Sequence, residues 1–279
     1  TGCQVSLKTA ERIIDQVNLI KNPFEIKSVD NDLITYVDES FDKIYLNAID
    51  HISLVDEKKE VKIVYSPLHG ADAPVIPKYL KQKGFDFHPY APQMIIDPNF
   101  SNTLSSNPEE SDAYIETIKY ANSIAADVVM ITDPDADRLG VAVKHNGNFE
   151  LITGNQTASM MLYYILSTRK KLGILPINGH VYTTNVTTKL IDRIAKSFDI
   201  NVITTLTGFK FIGEQAEIFK KTNPYLFGCE ESYGSLVSDV VRDKDAVQAV
   251  YLLSEIANHL KLQGLSMIDY LNEIYNKYG

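Results

Sequence analysis

Residues Val128 to Ile131 form an unbroken apolar run that stops in a loop carrying Asp133, Asp135 and Asp137, with Arg138 directly after. A short continuous run rich in β-branched residues is the pattern of a strand buried on both faces, as in a parallel sheet. Such a strand needs a layer of helices on each side. Pro134 biases Asp133 toward an extended backbone. Three carboxylates so close together repel one another, and nothing local compensates. A divalent cation among them would, because hard cations such as Mg²⁺ take oxygen ligands. Three protein ligands leave coordination positions for water or a phosphate oxygen. Arg138 adds a rigid fork of donors suited to phosphate.

Three rival readings of this loop can be weighed. A calcium EF-hand loop also begins Asp-x-Asp-x-Asp, but it needs Gly at its sixth position and Glu at its twelfth. Here those positions hold Arg138 and Lys144, which excludes it. A strand-end Asp-x-Asp of the haloacid-dehalogenase type, with the first Asp as nucleophile toward phosphate, accounts poorly for the third Asp and the Arg. A solvated acidic turn is the bland alternative. The metal reading is preferred because α/β sheets place their sites in strand-end loops.

The rest of the chain repeats the strand-then-loop pattern. Residues 9–20 show Ile13, Val17 and Ile20 at helical spacing, and a polar stretch from Lys27 to Glu39 follows. Phe41, Ile44, Tyr45, Ala48, Ile49 and Ile52 form one apolar stripe, expected to be core. Val61–Tyr65 reads as a buried strand ending in Ser66-Pro67-Leu68-His69-Gly70. Pro74 is placed in the first turn of the next helix, and Phe85–Tyr90 is a short strand. Asn107-Pro108-Glu109-Glu110 reads as a helix start, with a cap, a proline and two acids at the positive end. Asn146-Gly147 between 139–144 and 149–152 is a hairpin signal.

A second cycle opens near Ile152. It comprises a helix at 155–170, strands at 181–184, 202–205 and 225–227, helices at 187–198 and 211–221, and closing helices near 244–263 and 266–277. Strands alternating with helices indicate βαβ units and a largely parallel sheet. A length of 279 residues suggests about two domains. The expected fold class is α/β: two three-layer α/β/α domains with mixed, mostly parallel sheets. The divisions are placed at 1–28, 29–151 and 152–279.

Composition narrows the function. The net charge is −9 and no basic block exists, which argues against nucleic acid as the main partner. No apolar run approaches a membrane span, so no membrane partner is expected. Two cysteines, Cys3 and Cys229, are too few for a disulfide framework and fit a cytoplasmic location. The opening Thr-Gly-Cys-Gln is neither a signal peptide nor a start methionine, and reads as a cut into a longer chain.

Three further stretches have site character. Gly228–Gly234 sets Glu230 and Ser232 two residues apart, so an extended backbone would point both the same way, toward vicinal sugar hydroxyls or into an ordinary polar turn. Thr207-Gly208-Phe209-Lys210 offers backbone N–H groups and a lysine to a phosphate at a helix start, or simply a capped helix. Arg242-Asp243-Lys244-Asp245 taken alone is a capped helix start with solvated charges. His69 is read as shaping its loop rather than acting in acid–base chemistry.

Taken together and in order, Ser66–Gly70, Asp133-Pro-Asp-Ala-Asp-Arg138, Thr207–Lys210, Gly228-Cys-Glu-Glu-Ser-Tyr-Gly234 and Arg242–Asp245 resemble the motifs of the α-D-phosphohexomutases. The resemblance covers nearly the whole chain. It is nearest to bacterial phosphoglucomutase/phosphomannomutase proteins and their animal phosphopentomutase-like relatives. That family has four domains around one cleft. It interconverts hexose 1- and 6-phosphates through a phosphoserine and a bisphosphorylated sugar. The resemblance implies Mg²⁺ on Asp133, Asp135 and Asp137, with Arg138 in the active site. It implies that Glu230 and Ser232 bind sugar hydroxyls, and that Thr207, Gly208, Lys210 and Lys244 serve the sugar-phosphate site. Glucose 1,6-bisphosphate would be the activator and a hexose phosphate the substrate.

Two family motifs are missing: the Ser-His-Asn-Pro type loop that carries the phosphoserine, and the Arg-x-Ser-Gly-Thr loop of the last domain. The chain is therefore expected to be the second and third domains with the tail of the first, and inactive without the missing first and fourth domains. The alternatives are a phosphopentomutase of the same family, or a non-catalytic module binding sugar phosphate or metal.

Overall fold

A computed structural model describes residues 4–27 and 34–279. Cys3 and the division placed at residue 28 lie outside the described residues. The chain begins with helix α1 (Leu7–Asn18), which Ser6 caps by accepting the Thr9 N–H, and α2 (Glu39–Ile49), capped by Asp38. No residue of α1 is buried.

Strands β1 (Lys62–Ser66), β2 (Asp86–Pro89), β3 (Val128–Thr132), β4 (Leu139–His145) and β5 (Asn148–Ile152) form the first sheet, in the order β2-β1-β3-β4-β5. Helices α3 (Ile76–Gln82) and α4 (Ile115–Ser123) connect its parallel strands. A second sheet, ordered β7-β6-β8-β9, contains β6 (His180–Thr184), β7 (Asn201–Thr205), β8 (Tyr225–Cys229) and the short β9 (Ser235–Leu236). Helices α5 (Gly154–Lys171), α6 (Leu190–Ser197), α7 (Phe209–Phe219), α8 (Ala246–Leu262) and α9 (Met267–Tyr278) complete the chain. Among the described residues four of the seven strand pairings are parallel, so the fold is α/β with mixed sheets.

The apolar run at 128–132 is buried throughout. Its residues alternate between two cores, as a period of two requires. Val129 and Ile131 join Val64, Tyr114 and Ala121 on the α4 side. Val128 and Met130 join Ile63, Tyr65 and a second group on the opposite side. That second group includes Val250, Leu253 and Ile256 of α8, together with Val181 and Phe227 of the other sheet. Helix α8 thus covers the first sheet although it follows the second in sequence. Its sequence explains the placement: every position from Ala246 to Asn258 is buried, and most are apolar, so the helix is enclosed all round. Capping is local. Thr153 with Gln156 and Ser266 with Asp269 form capping boxes on α5 and α9, and Asp245 caps α8.

Three sequence expectations need correction. The stripe on α2 is rotated: Phe41 and Ile44 are 56% and 64% exposed, while Leu46 and Ile49, and Ile52 in the 3-10 turn just after the helix, are buried. The segment from Asn107 does not start a helix; a 3-10 turn at Ser111–Tyr114 precedes α4. Pro77, not Pro74, sits in the first turn of α3. The hairpin holds, with Asn146 and Gly147 both at positive φ between β4 and β5.

Candidate active site

The acidic loop is organised by its first carboxylate. Asp133 is 1% exposed. Its Oδ1 accepts the N–H groups of Asp137 (3.0 Å) and Arg138 (2.9 Å), and its Oδ2 accepts Arg138 Nε at 2.6 Å. A carboxylate that draws in two amides of its own loop bends the chain back, which places Ala136 in the left-handed region at φ 61. One oxygen from each of Asp133, Asp135 and Asp137 lies within 4.8 Å of the others. Burial, then the charge of Asp133, raises the Asp135 carboxyl above the usual range. Burial also raises Asp137, against the opposing pull of Lys244. The cluster is short of positive charge, and its donors are all hard oxygens. That donor set fits Mg²⁺.

Arg138 is less free than its sequence position implies. Beyond Asp133, its Nη1 donates to Asn107 Oδ1 (3.2 Å) and Glu109 Oε1 (3.1 Å). Burial opposes its charge, but the bond to Asp133 and the charges of Asp133, Asp137 and Glu109 together outweigh it, and the guanidinium is held above its ordinary value. Nη2 takes no part in these bonds. Asn107 and Glu109 were missed as site residues because the Asn-Pro-Glu-Glu pattern matches a helix start. Only the fold brings them across to Arg138.

A second loop braces the first. Ala71 N–H donates to Pro134 O (3.0 Å), and a methyl group on Gly70 would lie 2.7 Å from Pro134 Cα. Only glycine allows that approach. His69 holds the loop through Nδ1 to Ile95 O (2.7 Å), in keeping with a shaping role, while its Nε2 is buried without a partner. Asp72, just behind, was not singled out by sequence. Burial pushes its carboxyl up to about 6, with only weak help to the charged form from Thr132 and Tyr65. Neither of its oxygens meets hydrogen-bond geometry.

The Gly228–Gly234 loop joins this site through the backbone. Leu139 N–H donates to Tyr233 O (3.1 Å), and Arg138 bridges to Gly234. Glu230 is 4% exposed and its Oε1 accepts the Gly208 N–H at 2.9 Å. Burial raises its carboxyl, with the Gly208 bond and the Lys244 charge opposing. The backbone from Glu231 bends rather than staying extended, with Glu230 N–H turned back to Gly234 O (2.9 Å) and Tyr233 at φ 67. Period-two alternation therefore does not set the direction of Ser232, which is half-buried. Glu231 is taken by Thr184 and Thr187, at 3.0 and 3.3 Å.

Lys244 reaches the acidic loop directly, with Nζ 2.8 Å from Asp137 Oδ2. Arg242 does not: it is buried, pairing with Glu217 (3.0 Å) and Asp239 (3.3 Å). Asp245 is buried, capping α8 and accepting Tyr45 OH at 2.6 Å. Thr207 is exposed. Lys210 lies over the Phe211 ring (5.2 Å) and lines a separate open cavity of about 560 Å³ with Leu7, Phe211, Glu217 and Ile218. None of the three aspartates lines that cavity.

The chain is thus an α/β protein with a strand-end carboxylate cluster bonded to a glycine-flanked acidic loop. The sequence pattern described as "Phosphoglucomutase/phosphomannomutase, alpha/beta/alpha domain II" matches residues 43–147, and that of domain III matches 153–278. The phosphomannomutase of Mycoplasmoides pirum is 34% identical over 288 residues, covering 100% of this chain and 52% of that protein. The phosphoglucomutase of Staphylococcus haemolyticus (strain JCSC1435) is 32% identical over 285 residues, covering 100% and 51%. A putative phosphomannomutase from Thermus thermophilus shares the fold with a TM-score of 0.76 at 22% identity, over 98% of this chain and 57% of that one. The chain belongs to the phosphoglucomutase/phosphomannomutase family. It carries the family's second and third domains, and spans about half the length of the curated relatives it matches.

Proposed function

We propose that this chain is the metal-holding and sugar-reading part of a phosphoglucomutase/phosphomannomutase, an isomerase moving a phosphoryl group between the 1- and 6-positions of a hexose phosphate. One observation supports this most: the Leu139–Tyr233 backbone bond, which puts the carboxylate cluster and the Glu230 loop side by side. Asp133, Asp135 and Asp137 would hold Mg²⁺, whose contribution when bound is to offset charge on the phosphoryl group in flight. Asp133 keeps Arg138 in place, leaving Nη2 for a phosphate oxygen. Glu230, anchored at one oxygen by Gly208, offers the other to a sugar hydroxyl, with Ser232 beside it. Thr207, Gly208, Lys210 and Lys244 complete the sugar-phosphate site in this reading. Positioning of this kind supplies much of the rate in phosphoryl transfer.

The 279 residues contain neither a Ser-His pair nor an Arg-x-Ser-Gly-Thr loop. The phosphoserine and the distal phosphate clamp are assigned to the family's first and fourth domains. Glucose 1,6-bisphosphate is the proposed intermediate and activator; a neighbour of 16% identity, an N-acetylphosphoglucosamine mutase of Aspergillus fumigatus, is described in complex with it. A cytoplasmic location belongs to the same proposal, and the buried free thiol of Cys229 is compatible with it.

The chain alone is expected to bind Mg²⁺ weakly, to lose that binding in Asp135→Ala, and to show no turnover in a coupled assay on glucose 1-phosphate with Mg²⁺ and glucose 1,6-bisphosphate. Robust product formation, abolished by Asp135→Ala, would overturn the assignment of the nucleophile to another domain. Calorimetry showing no Mg²⁺ binding at millimolar concentration would overturn the metal assignment.

A further inference from the structure

Lys244 is held where the acidic loop and the Gly228–Gly234 loop meet. Its Nζ is 2.8 Å from Asp137 Oδ2, and its side chain is 16% exposed. The two residues directly after it are clamped. Asp245 N–H donates to Ser235 O (2.9 Å), Ala246 N–H donates to Ala136 O (3.0 Å), and Asp245 caps α8. The start of α8 is therefore bonded to the acidic loop itself. The lysine stem passes so close over Gly234 that a methyl group there would collide with Lys244 Cδ. A stem confined in this way leaves the ammonium a short arc. Asp137 lies within reach of that arc.

We propose that Lys244 is a positioning residue that couples the two halves of the site, because a divalent cation on Asp137 and the Lys244 ammonium compete for one carboxylate, so that cation binding turns the ammonium toward an anionic group on the sugar. The inference rests on the metal reading above and goes beyond it. A dication and an ammonium on the same side of one carboxylate repel each other strongly in a partly buried setting. The ammonium is the group with somewhere to go. Its stem is held over Gly234, but rotation about its last bonds swings the ammonium through that short arc. The consequence is linkage: the charge on Lys244 weakens Mg²⁺ binding in the absence of an anion, and an anion that captures the ammonium relieves that penalty by the same factor.

The test is Mg²⁺ calorimetry on the 279-residue chain without sugar phosphate, comparing wild type with Lys244→Met, Lys244→Gln and Lys244→Arg. Circular dichroism and a thermal melt would confirm that each is folded. Both neutral variants are expected to bind Mg²⁺ about five-fold tighter or more, the lower range of coupling between sites. Lys244→Arg, which keeps the charge, is expected to stay near wild type. A merely structural lysine would show no such split by charge. Equal or weaker Mg²⁺ binding in whichever neutral variant folds would overturn the coupling while leaving the metal assignment standing. Absence of Mg²⁺ binding in wild type would overturn both.

Discussion

Helices α1 and α8 carry apolar residues at helical spacing and end in opposite surroundings. In α1, Leu7, Ile13, Ile14 and Val17 stay about half exposed, and no residue is buried. In α8, Val250, Leu253 and Ile256 are completely enclosed between two sheets. Periodicity shows that a helix has a face to cover, not what covers it. Among the described residues, nothing buries the apolar face of α1. Helix α8 finds strands from both halves of the chain and becomes their common core. The same rule explains α2, where Phe41 and Ile44 share the exposure of the N-terminal segment while Leu46 and Ile49 join the core of the first sheet.

The sharpest way to break this comparison is to truncate both helices. Leu253→Ala leaves a cavity in the shared core and is expected to cost about 3–4 kcal/mol, the middle of the range for buried leucine. A loss below about 1 kcal/mol in chemical denaturation would show that α8 is not the common core.

Next in size is Glu255 of α8, a buried carboxylate that accepts from Ser53 Oγ, the Leu54 N–H (3.0 Å) and Tyr164 OH (3.0 Å). Glu255→Ala strands those donors and is expected to cost about 3 kcal/mol. Tyr164→Phe removes one bond only and should cost about 1 kcal/mol in the same denaturation series.

Comparable to Glu255 is the effect of Asp72, which works through pH. Its folded carboxyl sits at about 6 against an ordinary 3.8, so the folded chain holds that proton more tightly than the unfolded one. Its contribution is fully present below pH 3.8 and is lost as pH rises through about 6. Asp72→Asn removes the loss, on the order of 3 kcal/mol at about pH 7, and changes little at about pH 3.5. Equal melting-temperature shifts at both pH values would contradict this. The smallest effect is expected on α1. Ile14→Ser should change stability by less than about 0.5 kcal/mol, as for other exposed positions. A larger loss would mean that α1 is covered after all.

The site divides along similar lines. Its carboxylates were legible because three acids after a buried apolar strand have no local reason to be there. The Glu-Glu-Ser loop was legible only through its resemblance to a family pattern, since a polar turn looks the same residue by residue. Asn107 and Glu109 were not legible: their partner Arg138 lies 31 and 29 residues away, and their own pattern mimics a helix cap. Lys210 shows the converse, a charge in a recognised motif whose ammonium lies over Phe211 instead of in contact with the carboxylates.

What the sequence determined by itself are the features whose physics is local. The buried strand at 128–132, the Asn146-Gly147 hairpin, the caps Thr153, Asp245 and Ser266, and the carboxylate density of the acidic loop all depend on neighbours within a few residues. Only the tertiary structure decided which apolar faces were covered and which charges were paired. The placement of α8 over the first sheet, the closing of Arg138 onto Asn107 and Glu109, and the Lys244–Asp137 pair all join residues far apart along the chain. Burial and Coulomb attraction depend on distance in space, and no spacing along the chain encodes that distance.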